Sequence, residues 1–88
     1  MITDARSGRY IDALRALRSL IYHEGVSPVD LVRQMHREIQ SLSLPNQLQM
    51  DILEKIAEAE FRIGEGSNGE IQLTALLAHV GLGSDSNE

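Results

Sequence analysis

Cysteine is absent from this chain, which excludes a disulfide framework, a thiolate zinc site and a cysteine nucleophile. Tryptophan is absent too, and Tyr10, Tyr22 and Phe61 are the only aromatic side chains. So few ring faces exclude a base-stacking platform for single-stranded nucleic acid. Lysine occurs once, at Lys55, against seven arginines, and the formal net charge is -5. Neutralisation of phosphates by Lys and Arg supplies most nucleic-acid affinity, so this balance argues against autonomous DNA binding. No apolar run approaches the ~20 residues needed to span a bilayer. The first residues also lack the basic-then-apolar pattern of a secretory signal. A cytoplasmic location, with no membrane partner, is the expectation. Nothing alternates with a period of two, so no strand is expected.

What is present is helical periodicity. Eighty-eight residues allow one small domain, and a chain of this size buries only about 60% of its unfolded surface, which leaves a thin core. Met1 to Ser7 makes a short helix, closed by Gly8 and too short to stand alone. It has the look of a stump of something longer upstream. A second helix is expected from Arg9 to Glu24, where Tyr10, Leu14, Leu17 and Ile21 recur at helical spacing and Ala13 and Leu20 widen the stripe. Gly25 stops it. Ser27-Pro28 reads as an N-cap followed by proline at the first helical position. That third helix runs to about Ser41, with Leu31, Val32, Met35, Ile39 and Leu42 inward. A fourth spans Pro45 to Ile63, with Leu48, Ile52, Ile56, Ala59 and Ile63 inward and Leu53 and Ala57 extending the stripe. The last, from Glu70 to about Val80, is apolar on nearly every side, as suits a helix that is central or at an interface. Gly81 and Gly83 are expected to end it, and 84–88 to form a disordered polar tail. The fold class is therefore all-α: a compact bundle of four main helices plus a short N-terminal one, over residues 1–83.

The motifs that carry chemistry fail on context. Gly64, Gly66 and Gly69 fit G-x-G-x-x-G, but a dinucleotide loop follows a strand, and this one follows a helix. It contains Glu65 and no basic residue, and the chain has no Walker lysine-serine/threonine pair. The glycines instead mark an interhelical turn, with Gly64 or Gly66 at a C-cap and Asn68 at an N-cap. His23, His36 and His79 come from three different helices without metal-ligand spacing. His36 reads as a packing or surface residue, and His23 sits near a helix C-terminus where the dipole favours it. No G-x-S-x-G surrounds a serine. Glu54 and Glu58, four apart, belong to a solvated acidic face. No catalytic, cofactor-binding or metal site is expected.

One feature is less easily dismissed. Residues 9–42 carry Arg9, Arg15, Arg18, Arg33 and Arg37 and a net charge of +1, whereas residues 45–88 carry -6. Such lopsidedness suits a head-to-tail contact in which the arginine face of one copy meets the acidic face of the next.

Two segments resemble a known family. Leu31-Val32-Arg33-Gln34-Met35-His36-Arg37-Glu38-Ile39 and Glu65-Gly66-Ser67-Asn68-Gly69-Glu70-Ile71-Gln72-Leu73-Thr74-Ala75-Leu76-Leu77-Ala78 are similar to runs in the C-terminal collar domain of replication factor C small subunits, the archaeal and eukaryotic sliding-clamp loaders. Phe61-Arg62 matches the pair that ends the family's long helix. Gly8, Tyr10, Ala13-Leu14-Arg15 and Leu17 match its beginning. The resemblance covers residues 1 to 82. The scarcity of lysine and Gly69 depart from it without touching the packing pattern.

The resemblance implies a role in DNA replication. Clamp loaders are pentamers of AAA+ ATPase subunits whose C-terminal helical domains form a collar. ATP and Mg, the clamp and the primer-template junction would be bound by other domains of such a subunit. This chain, as an isolated collar domain, would be no enzyme, hold no cofactor and contact other small and large subunits. Candidate interface residues are Arg15, Arg18, Arg33, Arg37, Glu54, Glu58, Glu65, Glu70 and Gln72. The alternative is a DNA-contacting helical module that uses the arginine face.

Overall fold

The computed structural model describes residues 1–85, with side chains through residue 81. Its five helices are α1 (Ile2–Arg6), α2 (Tyr10–Tyr22), α3 (Pro28–Ser41), α4 (Asn46–Gly64) and α5 (Gly69–Asp85), and no strand occurs among the described residues. The expected all-α bundle of four main helices and a short first one is the observed fold.

The most apolar helix is the centre of it. Each of the other four packs on α5, and Leu73, Leu76, Leu77 and Val80 are buried there. Around them lie Ala13 and Leu17 from α2, Leu31, Val32, Met35 and Ile39 from α3, and Ile52, Ile56 and Ala59 from α4. α1 is held from outside itself, as a five-residue helix must be. Its Ile2 and Ala5 are buried, and its main partner is α5.

Two inward assignments need correction. Leu14 is half-buried and is not among the side chains packed on the core cluster, and Ala57 is exposed. Ala57 lies on the α4 face turned from the core stripe, so its small apolar side chain reports nothing about direction.

The ends of the helices follow local chemistry. Ser27 caps α3, its Oγ accepting from Asp30 N at 3.2 Å, with Pro28 at the first position. The glycine turn is resolved into two caps. Gly66 has φ +101°. Ser67 N donates to Arg62 O at 3.0 Å and Gly66 N to Ile63 O at 3.1 Å, the paired bonds of a Schellman stop. Asn68 Oδ1 then accepts from Ile71 N at 3.0 Å and starts α5. No phosphate cradle forms: the amides are used by the chain itself.

Gly69 and Gly81 serve packing. A Cβ on Gly69 would sit 2.4 Å from both Cβ and Cγ of Pro28, so the start of α5 presses against the start of α3. A Cβ on Gly81 would meet the Ala5 carbonyl oxygen at 3.3 Å. The stop expected at Gly81 and Gly83 is accordingly not there. α5 passes through both to Asp85, because the close approach of α1 offsets the roughly 1 kcal/mol that a helical glycine forfeits. The polar tail expected over 84–88 falls on the last turn of α5 and on 86–88, which lie outside the described residues.

These glycines make a test by substitution. Gly69→Ala is expected to lower stability by about 1–3 kcal/mol, since the proline ring is rigid and cannot step aside. Gly66→Ala is expected to lower it by about 1 kcal/mol through its left-handed backbone. Gly64→Ala, helical and with open space around its Cβ, is expected to be neutral or to add up to about 1 kcal/mol. Urea unfolding of the three variants checks the order, and a Gly69→Ala variant as stable as wild type would show that α3 and α5 do not meet there.

Candidate functional site

The nine sequence-derived interface residues do not form one patch. Arg15 and Arg18 lie on the outer side of α2, Arg33 and Arg37 on α3, and all four are exposed. Glu54 is exposed and Glu58 half-exposed on α4, Glu65 is the exposed C-cap of that helix, and Glu70 and Gln72 are half-buried in the first turn of α5.

Part of the charge asymmetry is neutralised within the chain. Arg18 Nε lies 3.6 Å from Glu70 Oε2, and Arg33 Nε donates to Glu60 Oε2 at 3.4 Å. Each pair joins a helix of the basic half to one of the acidic half. At exposed positions such pairs contribute at most about 1 kcal/mol, but they fix which helices are neighbours. Glu58 is paired with Lys55 at 3.4 Å along its own helix. Among the described residues Arg15, Arg37, Glu54 and Glu65 make no ion pair.

Two grooves hold four of the nine, Arg33 and Arg37 in one and Glu58 and Gln72 in the other. Between α3 and α4 lies a groove of about 450 Å³ with Val32, Leu53, Ile56 and Ala57 on its floor. Arg33, Arg37, His36 and Glu60 form its rim. A smaller cleft between α4 and α5 is polar, with Lys55, Arg62, Gln72 and His79 along it.

The histidines do not converge. His23 is the exposed C-cap of α2, His36 is exposed on α3, and no group of three or more His, Asp or Glu able to hold a metal occurs among the described residues. His79 has a partner that sequence reasoning missed: its Nε2 is 2.7 Å from Asp51 Oδ2. Asp51 and His79 are on different helices, twenty-eight positions apart, so no local pattern announces them. A carboxylate on an imidazole is half of a general-base arrangement. Here the pair ties α4 to α5.

Also missed were the large apolar side chains left outside: Ile11, Tyr22, Met50, Phe61 and Ile71 are 59–68% exposed. The signal for four of them was available. Ile11 and Tyr22 on α2, and Met50 and Phe61 on α4, lie half a turn away from the core stripes of those helices.

Tyr22 is placed by α5. Its hydroxyl donates to Glu70 Oε1, and that hydrogen bond, together with the carboxylate's charge, raises the phenol above its ordinary value of 10.0. The negative phenolate is disfavoured beside a negative carboxylate, so the protonated form persists to higher pH. Glu70→Gln is expected to bring the Tyr22 titration down, followed by tyrosinate absorbance with Tyr22→Phe to assign the signal. An unchanged titration would remove the contact. Asp51→Asn and His79→Gln are each expected to lower stability by about 1 kcal/mol, less than additively when combined.

No helix among the described residues is long and apolar enough to cross a membrane. The family described as Replication factor C C-terminal domain matches residues 1–79. The chain is 43% identical over 84 residues to the replication factor C small subunit of Saccharolobus solfataricus, covering 93% of this chain and 26% of that protein. It is 40% identical over 78 residues to the small subunit of Thermococcus kodakarensis, covering 89% of this chain and 9% of that protein. Against the small subunit of Thermoplasma acidophilum it is 37% identical over 80 residues, covering 91% of this chain and 25% of that protein. The chain thus spans about a quarter, or less, of the length of these relatives. No solved structure matches the chain. With residues 1–79 matched by the family and relatives 37–43% identical over 89–93% of its length, the chain belongs to the replication factor C C-terminal domain family.

Proposed function

We propose that this chain is the collar module of a clamp-loader small subunit, a helical domain through which subunits of the loader are held together during DNA replication. Its partners are the equivalent domains of other small and large subunits. ATP and Mg chemistry, the sliding clamp and the primer-template DNA belong to the other domains of such a subunit, and the module itself is not an enzyme.

The observation that carries this reading is what the domain leaves outside. A small bundle with a thin core exposes Ile11, Tyr22, Met50, Phe61 and Ile71, each of which would add to that core if turned inward. Exposed large apolar side chains beside unpaired charges are the composition of a protein-protein surface. The paired polar groups support it from the other side. Asp51–His79, Arg33–Glu60 and Arg18–Glu70 each join two helices.

The DNA-contacting reading has less behind it, because Arg18 and Arg33 already have carboxylate partners. Removal of this domain from a subunit that carries it is expected to leave a monomer by light scattering, where the intact subunit assembles. Assembly that survives the removal would place oligomerisation elsewhere. DNA binding by this chain is expected to be weaker than micromolar, and a steep fall with salt from micromolar affinity, abolished by Arg33→Glu with Arg37→Glu, would move the function to DNA.

A further inference from the structure

The outermost stripes of α2 and α4 have the same construction. On α2, Ile11, Arg15, Arg18 and Tyr22 recur at i, i+4, i+7 and i+11, and all four are exposed. On α4, Met50, Glu54, Ala57 and Phe61 recur at the same intervals and are likewise exposed. Each stripe is about 16 Å long and carries a large apolar side chain at either end. Between those ends α2 presents two arginines, and α4 presents one glutamate and one alanine. The spacing matches, the apolar ends match, and the charge is opposite.

We infer that these two stripes are the two halves of one contact, in which α4 of one copy of this domain docks on α2 of the next. This rests on the collar reading and names the faces that would serve it. When the helices are laid stripe on stripe with the apolar ends in register, Glu54 falls opposite Arg15 if they run parallel. The antiparallel sense would set it against Arg18, which Glu70 already holds. The parallel sense, joining the two unpaired charges, is therefore the one assigned, and Ala57 leaves room for Arg18. Within one chain the stripes cannot meet. α2 and α4 each pack on α5 through buried faces, Ala13 and Leu17 on one and Ile52, Ile56 and Ala59 on the other. Their outer stripes lie across each helix from those buried residues, although Arg18 and Tyr22 reach α5 at Glu70.

The charges agree with this. Arg15 and Glu54 make no ion pair among the described residues, so both are available to a second copy. Arg18 is tied to Glu70, which also holds the Tyr22 hydroxyl, so two of the four α2 side chains are held in place before docking. Less side-chain freedom is then lost on association. A contact between two different faces is heterologous: each copy keeps one α2 stripe and one α4 stripe free, and the series closes into a ring or runs on. One pair of helix stripes buries less than the ~1,200 Å² of stable interfaces, so the lone domain associates only at high concentration.

Sedimentation of this chain over rising concentration tests the inference. Wild type is expected to associate. Glu54→Arg and Arg15→Glu should each weaken association roughly tenfold or more by setting like charges face to face. A mixture of the two variants should regain it, because each supplies the face the other lacks. Both positions are exposed, and circular dichroism melts matching wild type show that folding is intact. If a variant melts early, Glu54→Gln or Arg15→Gln takes its place. Single variants that associate as wild type does, or a mixture that stays dissociated, would overturn the assignment of the faces and leave the collar reading standing. A wild-type chain that remains monomeric at millimolar concentration would count against both.

Discussion

Everything in this fold depends on covering α5. A helix that is apolar on nearly every side is unstable alone in water, and Leu73, Leu76, Leu77 and Val80 require neighbours on several of its flanks. The other four helices are those neighbours. Two close approaches make the arrangement compact. Pro28 fills the space a Cβ would take on Gly69, and the Ala5 carbonyl comes near Gly81. A short helix such as α1 persists only because Ile2 and Ala5 are part of this cover.

Burial at the centre also explains the outside. In a domain of this size most helices have one buried face and one wet face. Once α5 is covered, Ile11 and Tyr22 on α2 and Met50 and Phe61 on α4 are left exposed on the outer sides. Single exposed apolar residues on such faces are ordinary. Four of them in matched pairs at the same spacing, with opposite charges between, are harder to account for by a solvated surface alone.

Element boundaries and the core were largely legible in the sequence, because period and capping acted together. Ser27-Pro28 and Asn68 stand at helix starts, and Gly8, Gly25 and Gly66 at stops, with the positive φ that only glycine adopts readily. Where the reading failed, two signals conflicted. Gly81 and Gly83 look like a stop, but α5 runs through both, and at Gly81 the close approach of α1 outweighs helix propensity. Ala57 looks like core, but its size carries no direction.

The candidate surface was less legible for a different reason. Charge can be counted from the sequence, but pairing cannot. Arg15 and Arg18 look equivalent on paper, as do Glu54 and Glu58, yet in each pair one is held by a partner and one is not. For the glutamates the partner is Lys55 of the same helix, but for the arginines the distinction depends on which helix lies beside which, and that was decided by the apolar demands of α5. The same dependence hid Asp51 and His79, whose contact exists because α4 and α5 pack together. Charge asymmetry along the chain thus overcounts what is free for a contact between copies, because part of it is paired within the chain. The internal pairs stabilise the bundle's own neighbours, and of the charges without an ion pair Arg15 lies on one outer stripe and Glu54 on the other, where the proposed contact would use them.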